Sequence, residues 1–348
     1  MPDPDDSASA TPSTSDTEVA PTAAHWRDFP WEEVTREVEL DGKRIHLVDL
    51  DRVGDDRDVV VFLHGISASW RWFIEILPEV ARTHRVIAID LPGFGDSQFS
   101  RRQTSFTALA QAVAAVCAEL SVDRATIVGH SMGSIVATRL AIDRPDLVER
   151  LVITGGPILS LTGLARNPIQ TFLAQPRSVA TLLAELLTIG VPLPARVTTM
   201  VASSPRLLKL ALGPFLAHPE KLDPDLMEQV MSALGAPGSF PALLSTIGDD
   251  PGGDLHRISC PTKIIRGPLD PLSPPADVDR FLATVATSTA VEIPETGHWP
   301  HIEKPAEFLA ELGQFLGETG RRPVAPARHQ LVGRGPSSAS VCSKGVTR

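Results

Sequence analysis

Short runs of apolar residues alternate along this chain with segments whose apolar residues recur at helical spacing. The runs are near-continuous, which is typical of strands buried on both faces of a parallel sheet. Phe106, Leu109 and Val113 illustrate the helical spacing between runs. The runs are residues 59–63, 85–89, 125–128, 151–154, 263–266 and 290–293. This alternation predicts an α/β fold arranged as a three-layer sandwich.

The two ends of the chain lack this alternation. Residues 1–25 consist mainly of Pro, Ser, Thr, Ala and Asp, with no Leu, Ile or Phe, so we expect a disordered tail rather than a targeting signal. Residues 318–348 are rich in Gly, Pro, Ser and Arg, and we expect a second flexible tail. After the first tail, residues 36–40 and 43–48 flank an Asp-Gly dipeptide, which predicts an antiparallel hairpin.

One internal section also interrupts the pattern. Residues 157–250 contain no convincing strand and are dominated by Leu, Ala, Met and Pro, which predicts an inserted and mostly helical cap. The core domain would then comprise residues 26–156 and 251–317. Helices of the cap are expected near residues 169–174, 179–187, 195–200, 205–212 and 225–234.

Composition excludes several classes of protein. A net charge of -10 over 348 residues disfavours a general nucleic-acid binder. Cys117, Cys260 and Cys342 lie far apart without a C-x-x-C pair, which argues against a disulfide framework or a zinc site and favours the reducing cytoplasm. Since no window approaches ~18 uninterrupted apolar residues, we expect no membrane span. The chain contains no tyrosine, so a mechanism that needs one is excluded.

The sharpest local motif is Gly129-His130-Ser131-Met132-Gly133, directly between a predicted strand and a predicted helix. A serine on so tight a turn needs small neighbours, and its hydroxyl then projects over the carboxyl edge of the sheet. The pattern predicts a nucleophilic Ser131, with a structural turn serine as the alternative.

A serine hydroxyl needs a base and an orienting acid from elsewhere in the fold. Asp270 and His298 each follow a predicted strand, so both are expected at the same sheet edge as Ser131. His298 is the predicted base and Asp270 the predicted acid. His301 is a competing candidate for the base. The weaker candidates for the acid, because no buried strand precedes them, are Asp249, Asp250 and Asp254.

Two backbone N–H groups are needed to stabilise the developing oxyanion. Met132 directly follows the nucleophile at the start of a helix, and Ile66 lies in the turn His64-Gly65-Ile66-Ser67 after a buried strand. We predict that the N–H groups of Ile66 and Met132 form this oxyanion hole.

Taken together, these motifs resemble the α/β-hydrolase superfamily over roughly residues 31–317. The resemblance implies an eight-stranded, mostly parallel sheet with a lid inserted after the sixth strand. It rests on His64-Gly65 followed by Trp70, the loop of residues 90–97, the elbow around Ser131, residues 267–270, and Gly297-His298. We interpret residues 90–97 as a structural turn.

Departures from related enzymes narrow the expected reaction. Epoxide hydrolases and haloalkane dehalogenases of this superfamily use an aspartate where Ser131 stands, and the epoxide hydrolases also use cap tyrosines that this chain lacks. Carbon-carbon-bond hydrolases often resemble G-N-S-M-G, whereas His130 precedes the nucleophile here. Cofactor-free haloperoxidases, which can show perhydrolysis, often share the Ser-Met-Gly element that residues 131–133 form here.

The low charge of residues 178–191 predicts a hydrophobic acyl or alcohol group in the substrate. We assign substrate contact to Trp70, His130 and Trp299, with core packing as the equal alternative for the tryptophans. Other candidates for the pocket, for which cap packing or plain surface exposure is the alternative, are Trp72, Arg166, Asn167, Gln170, Phe172, Met200, Phe215, Met227 and Met231.

The sequence therefore predicts a serine hydrolase that cleaves a small to medium hydrophobic carboxylic ester, lactone or thioester through an acyl-enzyme. No metal or organic cofactor is expected. The alternatives are a carbon-carbon-bond hydrolase or a cofactor-free haloperoxidase or perhydrolase on the same site, and, more remotely, a ligand-binding receptor on the same fold. The oligomeric state stays open.

Overall fold

A computed structural model describes residues 25–51, 57–100, 103, 105–159, 193–245 and 249–317, with the single positions 169, 173, 176, 180 and 181. Its strands form one eight-stranded sheet. In chain order they are β1 (Thr35–Leu40), β2 (Lys43–Leu50), β3 (Val59–Leu63), β4 (Arg85–Ile89), β5 (Ala125–His130), β6 (Val148–Thr154), β7 (Thr262–Arg266) and β8 (Ser288–Glu292).

The strands are ordered β1-β2-β4-β3-β5-β6-β7-β8 across the sheet. β1 and β2 form the predicted antiparallel hairpin, whose turn residues Asp41 and Gly42 have φ of 50° and 70°. β2 is antiparallel to β4, and all later neighbours are parallel. The loops after β3, β5, β7 and β8 therefore leave the sheet at one edge, where ligands of open α/β sheets bind.

Helices cover both faces of the sheet. Their bounds are α1 (Trp31–Val34), α2 (Leu77–Val80), α3 (Phe106–Glu119), α4 (Met132–Asp143), α5 (Ala195–Ala202), α6 (Pro205–Leu212), α7 (Pro224–Met231), α8 (Ser239–Ser245), α9 (Pro275–Thr284), α10 (Pro300–Glu303) and α11 (Pro305–Gly317). Among the helices in these ranges, none combines the length and the apolar character needed to cross a bilayer.

Alternate residues of β3 show how the three layers are held. Val61 and Leu63 belong to the apolar cluster that includes α3, α4 and α9. Val60 and Phe62 belong to the opposite cluster, which includes α2 and α11. Because side chains of a strand alternate between faces, a run buried on both sides packs against both helical layers. The predicted α/β sandwich is confirmed.

The last strand corrects one sequence expectation. Residues 290–293 were expected to be buried on both faces, but β8 spans Ser288–Glu292 and is largely exposed. It has only one neighbour, β7, because it lies at the edge of the sheet. The buried Ile293 comes after the strand ends, so its side chain belongs to the following loop.

Helices α5 to α8 lie between β6 and β7, and we call residues 155–261 the β6–β7 insertion. Helix α6 has the predicted bounds, α5 begins as predicted and ends two residues later, and α7 begins one residue and ends three residues earlier than predicted. The predicted helices at 169–174 and 179–187 fall mostly outside the described residues. The C-terminal tail falls outside them entirely, and so does the N-terminal tail apart from residue 25.

Candidate active site

Ser131 stands on a strained turn between β5 and α4. Its backbone has φ 53° and ψ -120°, a conformation that costs a non-glycine residue about 1–3 kcal/mol. A Cβ on Gly129 would lie 2.3 Å from the carbonyl oxygen of Gly133, and one on Gly133 would lie 2.1 Å from that of Leu63. The turn is therefore as tight as the G-x-S-x-G pattern predicts.

Hydrogen bonds fix this turn at both of its ends. The Ser131 N–H donates to the Thr154 carbonyl at 2.9 Å. The Ser131 carbonyl accepts from the Ser134 N–H at 2.9 Å and from its hydroxyl at 2.6 Å. The first N–H groups of a helix have no partner within the helix, and they carry its positive dipole end. Met132 begins α4, so its N–H lies at that end.

The loop after β3 approaches the same turn. A Cβ on Gly65 would lie 3.2 Å from the Cβ of Ser131, so Ile66 follows a residue in close contact with the serine. His64 is buried and fixes this loop, since its Nδ1–H donates to the Gly65 carbonyl at 2.7 Å. Its Nε2 accepts from the Leu91 N–H at 3.0 Å. Both predicted N–H donors of the oxyanion hole thus lie in segments that adjoin Ser131.

His298 and Asp270 form a buried pair. His298 Nδ1 lies 2.9 Å from Asp270 Oδ2, and the side chains are 3% and 0% exposed. Asp270 Oδ1 accepts from the Leu272 N–H at 2.8 Å, which orients the carboxyl group. Because a carboxylate only accepts hydrogen bonds, the shared proton belongs on Nδ1 of the imidazole. Nε2 is then the ring nitrogen with the chemistry of a base.

His130 connects the elbow to the loop that carries His298. Its Nε2–H donates to the His298 carbonyl at 3.0 Å. Its side chain is fully buried, and burial, followed by the neighbouring His301 and His298, holds its pKa well below the ordinary value. His130 thus stays neutral while it supports the loop. Its contact with substrate stays a prediction.

The two tryptophans assigned to the pocket both lie in packed surroundings. Trp299 is 6% exposed, and its ring centroid is 4.5 Å from that of Trp72. Trp70 is 3% exposed and lies 4.9 Å from the ring of Trp31. Trp72 donates its indole N–H to the Val230 carbonyl of α7 at 2.9 Å. These contacts favour the packing alternative, and substrate contact stays a prediction.

The pocket candidates in the β6–β7 insertion differ in how deeply they are buried. Met227 and Met231 are buried in the core cluster, whereas Met200 is 55% exposed. Phe215 is partly buried against both clusters. Arg166, Asn167, Gln170 and Phe172 lie outside the described residues.

The competing base and acids occupy other positions. His301 is buried beside His130, with ring centroids 4.7 Å apart, and burial lowers its pKa to about 3. Asp249 accepts from the Thr107 N–H at 2.7 Å and from Arg139 at 3.3 Å, and Asp254 also lies 3.3 Å from Arg139. Asp250 accepts from the Gly252 N–H at 2.9 Å. Asp249 therefore connects α3 with α4, Asp254 pairs with α4, and Asp250 caps its own turn.

One group of described residues has ligand atoms close enough to hold a metal ion. Atoms of His46, Asp90 and Asp96 lie within 4.8 Å of one another. Asp90, however, already accepts from the N–H groups of Trp70 and Asp96 at 2.7 and 2.9 Å, and its Oδ2 lies 2.9 Å from His46 Nδ1. These bonds support the structural interpretation of residues 90–97.

Glu303 is a residue near the site that sequence reasoning missed. Its carboxylate accepts the N–H groups of Gly297 and Trp299, on either side of His298, at 2.8 and 3.3 Å. No role is assigned to Glu303 in the sequence analysis. The available signal was an acid five residues after His298, just before Lys304-Pro305, but acids at such positions are common.

Comparison with known proteins decides the family. A family model described as the alpha/beta hydrolase fold matches residues 58–305, which is more than half of the chain. The chain belongs to the α/β-hydrolase family. The superfamily predicted from the motifs is therefore confirmed.

Relatives within this family carry different names. An uncharacterized protein of Mycobacterium tuberculosis is 26% identical over 85% of this chain and 86% of its own length. A 2-hydroxy-6-oxononadienedioate/2-hydroxy-6-oxononatrienedioate hydrolase of Cupriavidus pinatubonensis is 29% identical over 79% of this chain and 91% of its own. A solved thermophilic esterase from Thermogutta terrifontis has a TM-score of 0.59 at 22% identity, covering 82% of this chain and 98% of the other. The last similarity concerns the fold alone.

Proposed function

We propose that this α/β-fold hydrolase cleaves a hydrophobic carboxylic ester, lactone or thioester through an acyl-enzyme on Ser131. The observation that carries the proposal is the buried His298–Asp270 pair, 2.9 Å apart, in which the His298 carbonyl also accepts a hydrogen bond from His130, the residue preceding Ser131. A serine on a strained elbow beside an oriented imidazole is the arrangement that nucleophilic acyl transfer requires.

In the first half of the reaction, Ser131 Oγ attacks the substrate carbonyl carbon while His298 Nε2 takes the hydroxyl proton. Asp270 keeps the other proton on Nδ1 and stabilises the imidazolium. The N–H groups of Ile66 and Met132 donate to the oxyanion as its charge develops. When the carbonyl re-forms, the bond to the leaving group breaks, and His298 returns its proton to the departing alcohol or thiol.

In the second half, water attacks the acyl-enzyme at the same carbonyl carbon. His298 removes a proton from the water, the tetrahedral intermediate forms in the same oxyanion hole, and the bond to Ser131 Oγ breaks. The serine regains its proton from His298, and the carboxylic acid leaves. Atoms balance as one ester bond and one water consumed, with one acid and one alcohol released.

The β6–β7 insertion is proposed to act as a cap that selects the substrate. The apolar composition of this segment supports a hydrophobic substrate, and Trp70, His130 and Trp299 are the proposed contacts. His130 and Trp299 are buried and directly adjoin Ser131 and His298 in the chain, so they would contact the acyl group close to the reacting carbonyl. Trp70 is buried in the segment that follows β3.

Carbon-carbon-bond hydrolysis is the second candidate. The relative from Cupriavidus pinatubonensis is named as a hydrolase of 2-hydroxy-6-oxo dienedioates. This chain shares the Ser-Met-Gly element with carbon-carbon-bond hydrolases of the superfamily, but it has His130 where those enzymes often have Asn before the nucleophile. A vinylogous diketone substrate assayed beside esters separates the two reactions.

The proposed nucleophile is tested by incubating the protein with a fluorophosphonate, followed by intact-mass measurement and peptide mapping. We expect a single adduct on Ser131 that is absent in Ser131→Ala. Ser97→Ala is the matched control, because Ser97 is a buried serine that donates to the Asp90 carbonyl in the structural loop. This variant should keep the adduct. A folded wild-type protein that takes up no label, or takes it elsewhere, contradicts the proposal.

The substrate class is then tested with a panel of p-nitrophenyl esters of increasing chain length, a lactone and a thioester. We expect hydrolysis to require Ser131 and to favour longer acyl chains over acetate. Turnover of the diketone in preference to every ester would instead support carbon-carbon-bond cleavage.

A further inference from the structure

The carboxylate of Glu303, at the end of α10, bridges two segments that are remote in sequence. One oxygen, Oε1, accepts the N–H groups of Gly297 and Trp299 at 2.8 and 3.3 Å. It therefore binds the loop of residues 293–299, which we call the histidine loop, on both sides of His298. The other oxygen, Oε2, accepts the N–H of Ala217 in the β6–β7 insertion at 2.8 Å. One side chain therefore holds the proposed base and the insertion together.

A backbone contact reinforces this bridge. The His298 N–H donates to the Phe215 carbonyl at 2.8 Å. A Cβ on Gly297 would lie 2.2 Å from the same carbonyl oxygen, so the two backbones approach more closely than any other residue at that position would allow. The segment 215–217 thus contacts the histidine loop directly through the Phe215 carbonyl, and indirectly through the Ala217 N–H and the Glu303 carboxylate.

The surroundings of the Glu303 carboxyl group also affect its ionisation. Burial raises the pKa of this carboxyl above its ordinary value, while the N–H groups of Ala217, Gly297 and Trp299 and the nearby His298 oppose that shift. Keeping a carboxylate half-buried here costs desolvation energy, which three N–H donors offset.

We propose that Glu303 is a positioning residue that couples the seating of the segment 215–217 to the placement of His298. The inference rests on the proposed function, because it assigns to His298 the role of base. When the segment 215–217 is seated, the carboxylate holds Gly297 and Trp299, and the imidazole between them is fixed relative to Ser131. When that segment moves away, the loop loses the Phe215 carbonyl and one end of its bridge.

The test compares Glu303→Gln with wild type. Glutamine keeps the size of the side chain but replaces one acceptor oxygen by an NH₂ group that faces an N–H donor, and it removes the charge. Glu311→Gln is the matched control. Glu311 is a partly buried glutamate on α11 that pairs with Lys263 at 2.7 Å, so it braces the fold away from the site.

Three quantities are measured on each protein. Thermal unfolding midpoints verify folding, and hydrogen-deuterium exchange follows peptides that cover residues 213–218 and 295–301. Fluorophosphonate labelling and ester hydrolysis give the rate of Ser131 modification, kcat and KM. For Glu303→Gln we expect faster exchange in both peptides and a fall of about 10- to 100-fold in kcat and labelling rate, with KM changed less than about 3-fold. Glu311→Gln should show neither effect.

Ala217→Pro provides a second route if Glu303→Gln does not fold. It deletes the N–H of residue 217 that donates to Glu303 and leaves the carboxylate in place. We expect increased exchange in the peptide 295–301 and the same loss of kcat. Unchanged exchange in that peptide, or an unchanged kcat in a folded variant, overturns the proposed coupling.

The exchange measurement also separates this inference from the proposed function. If wild type is not labelled at Ser131, the nucleophile is wrong, yet exchange at residues 213–218 and 295–301 still decides whether Glu303 couples the two segments. If wild type is labelled and Glu303→Gln matches it in exchange and kcat, the coupling is wrong and the proposed function stands.

Discussion

The elbow around Ser131 and the loop around His298 deliver side chains to the same edge of the sheet, but they are held in different ways. The elbow is defined within five residues by the glycines at 129 and 133, whose Cα atoms sit where a Cβ would collide with backbone oxygens. The histidine loop is held by contacts with Asp270, His130, Phe215 and Glu303. The nucleophile is thus placed by close backbone packing at two glycines, including the approach of Gly133 to β3, and the base by tertiary hydrogen bonds.

This difference predicts different kinds of failure. A steric conflict at the elbow cannot be relieved without moving β3, β5 or α4, so changes there should affect folding. A lost hydrogen bond in the histidine loop contributes about 0.5–3 kcal/mol to stability, so changes there should leave the fold largely intact and affect chemistry instead.

The largest effect is expected from a substitution that disrupts only the contact between Asp270 and the histidine loop. In Asp270→Asn, the amide oxygen still accepts the Leu272 N–H, but the NH₂ group faces His298 Nδ1 and imposes the wrong tautomer. We expect kcat for ester hydrolysis to fall about 10⁴-fold with little change in the unfolding midpoint. Asp96→Asn, at an exposed aspartate, is the control and should retain activity. More than a tenth of wild-type kcat in Asp270→Asn would exclude Asp270 as the orienting acid.

The next largest effect is expected from a substitution that introduces a steric clash at the elbow. Gly133→Ala places a Cβ 2.1 Å from the Leu63 carbonyl oxygen, and backbone must shift to relieve the clash. We expect a loss of about 3 kcal/mol or more in the free energy of unfolding, measured by urea denaturation. Gly313→Ala, within α11, is the matched control because nothing lies within 4 Å of its Cβ position. It should be neutral or stabilising by up to about 1 kcal/mol. Equal stabilities of the two variants would refute a steric origin for the elbow.

The smallest effect concerns the pH dependence of stability near the histidine loop. An unfolded histidine titrates near pH ~6.5. Folded His301 has a pKa of about 3, because burial and the neighbouring His298 disfavour its charged form. Between these values the unfolded chain binds more protons, so stability falls as pH is lowered, by up to about 1.4 kcal/mol per pH unit for this group.

His301→Phe tests this expectation. The ring of His301 already packs between Phe73 and Phe308, at centroid distances of 5.1 and 5.8 Å, so a phenyl ring suits the site. Urea unfolding between pH 4 and pH 7 should show a shallower loss of stability in the variant than in wild type. An identical slope for the two proteins counts against a buried, neutral His301.

Much of the sheet was predictable because its strands are buried on both faces. The predicted runs at residues 59–63 and 85–89 match β3 and β4 in every residue. The last strand was predicted less well, because β8 lies at the edge and its burial depends on a single neighbour. An apolar run does not reveal how many strands flank it.

The candidate site divides along the same line. Ser131, Asp270 and His298 follow or end strands of a parallel sheet, so their approach to one edge could be expected from the pattern alone. The distances between them could not be predicted in this way. Asp270 and His298 lie 2.9 Å apart because two separate loops approach each other in the folded chain. The bridge from Glu303 to Ala217 had no signal in the sequence, because nothing in the pattern relates those two positions.

The sequence by itself determined the α/β alternation and the tight turn at Ser131, because the pattern that reveals each of them lies in residues within a few positions of one another. Only the tertiary structure decided which groups hold the proposed base. The contacts from Ala217 to Glu303 and from His130 to His298 join residues 86 and 168 positions apart. Hydrogen bonds need atoms within a few tenths of an ångström of the right distance, and across such separations only the complete path of the chain supplies that precision.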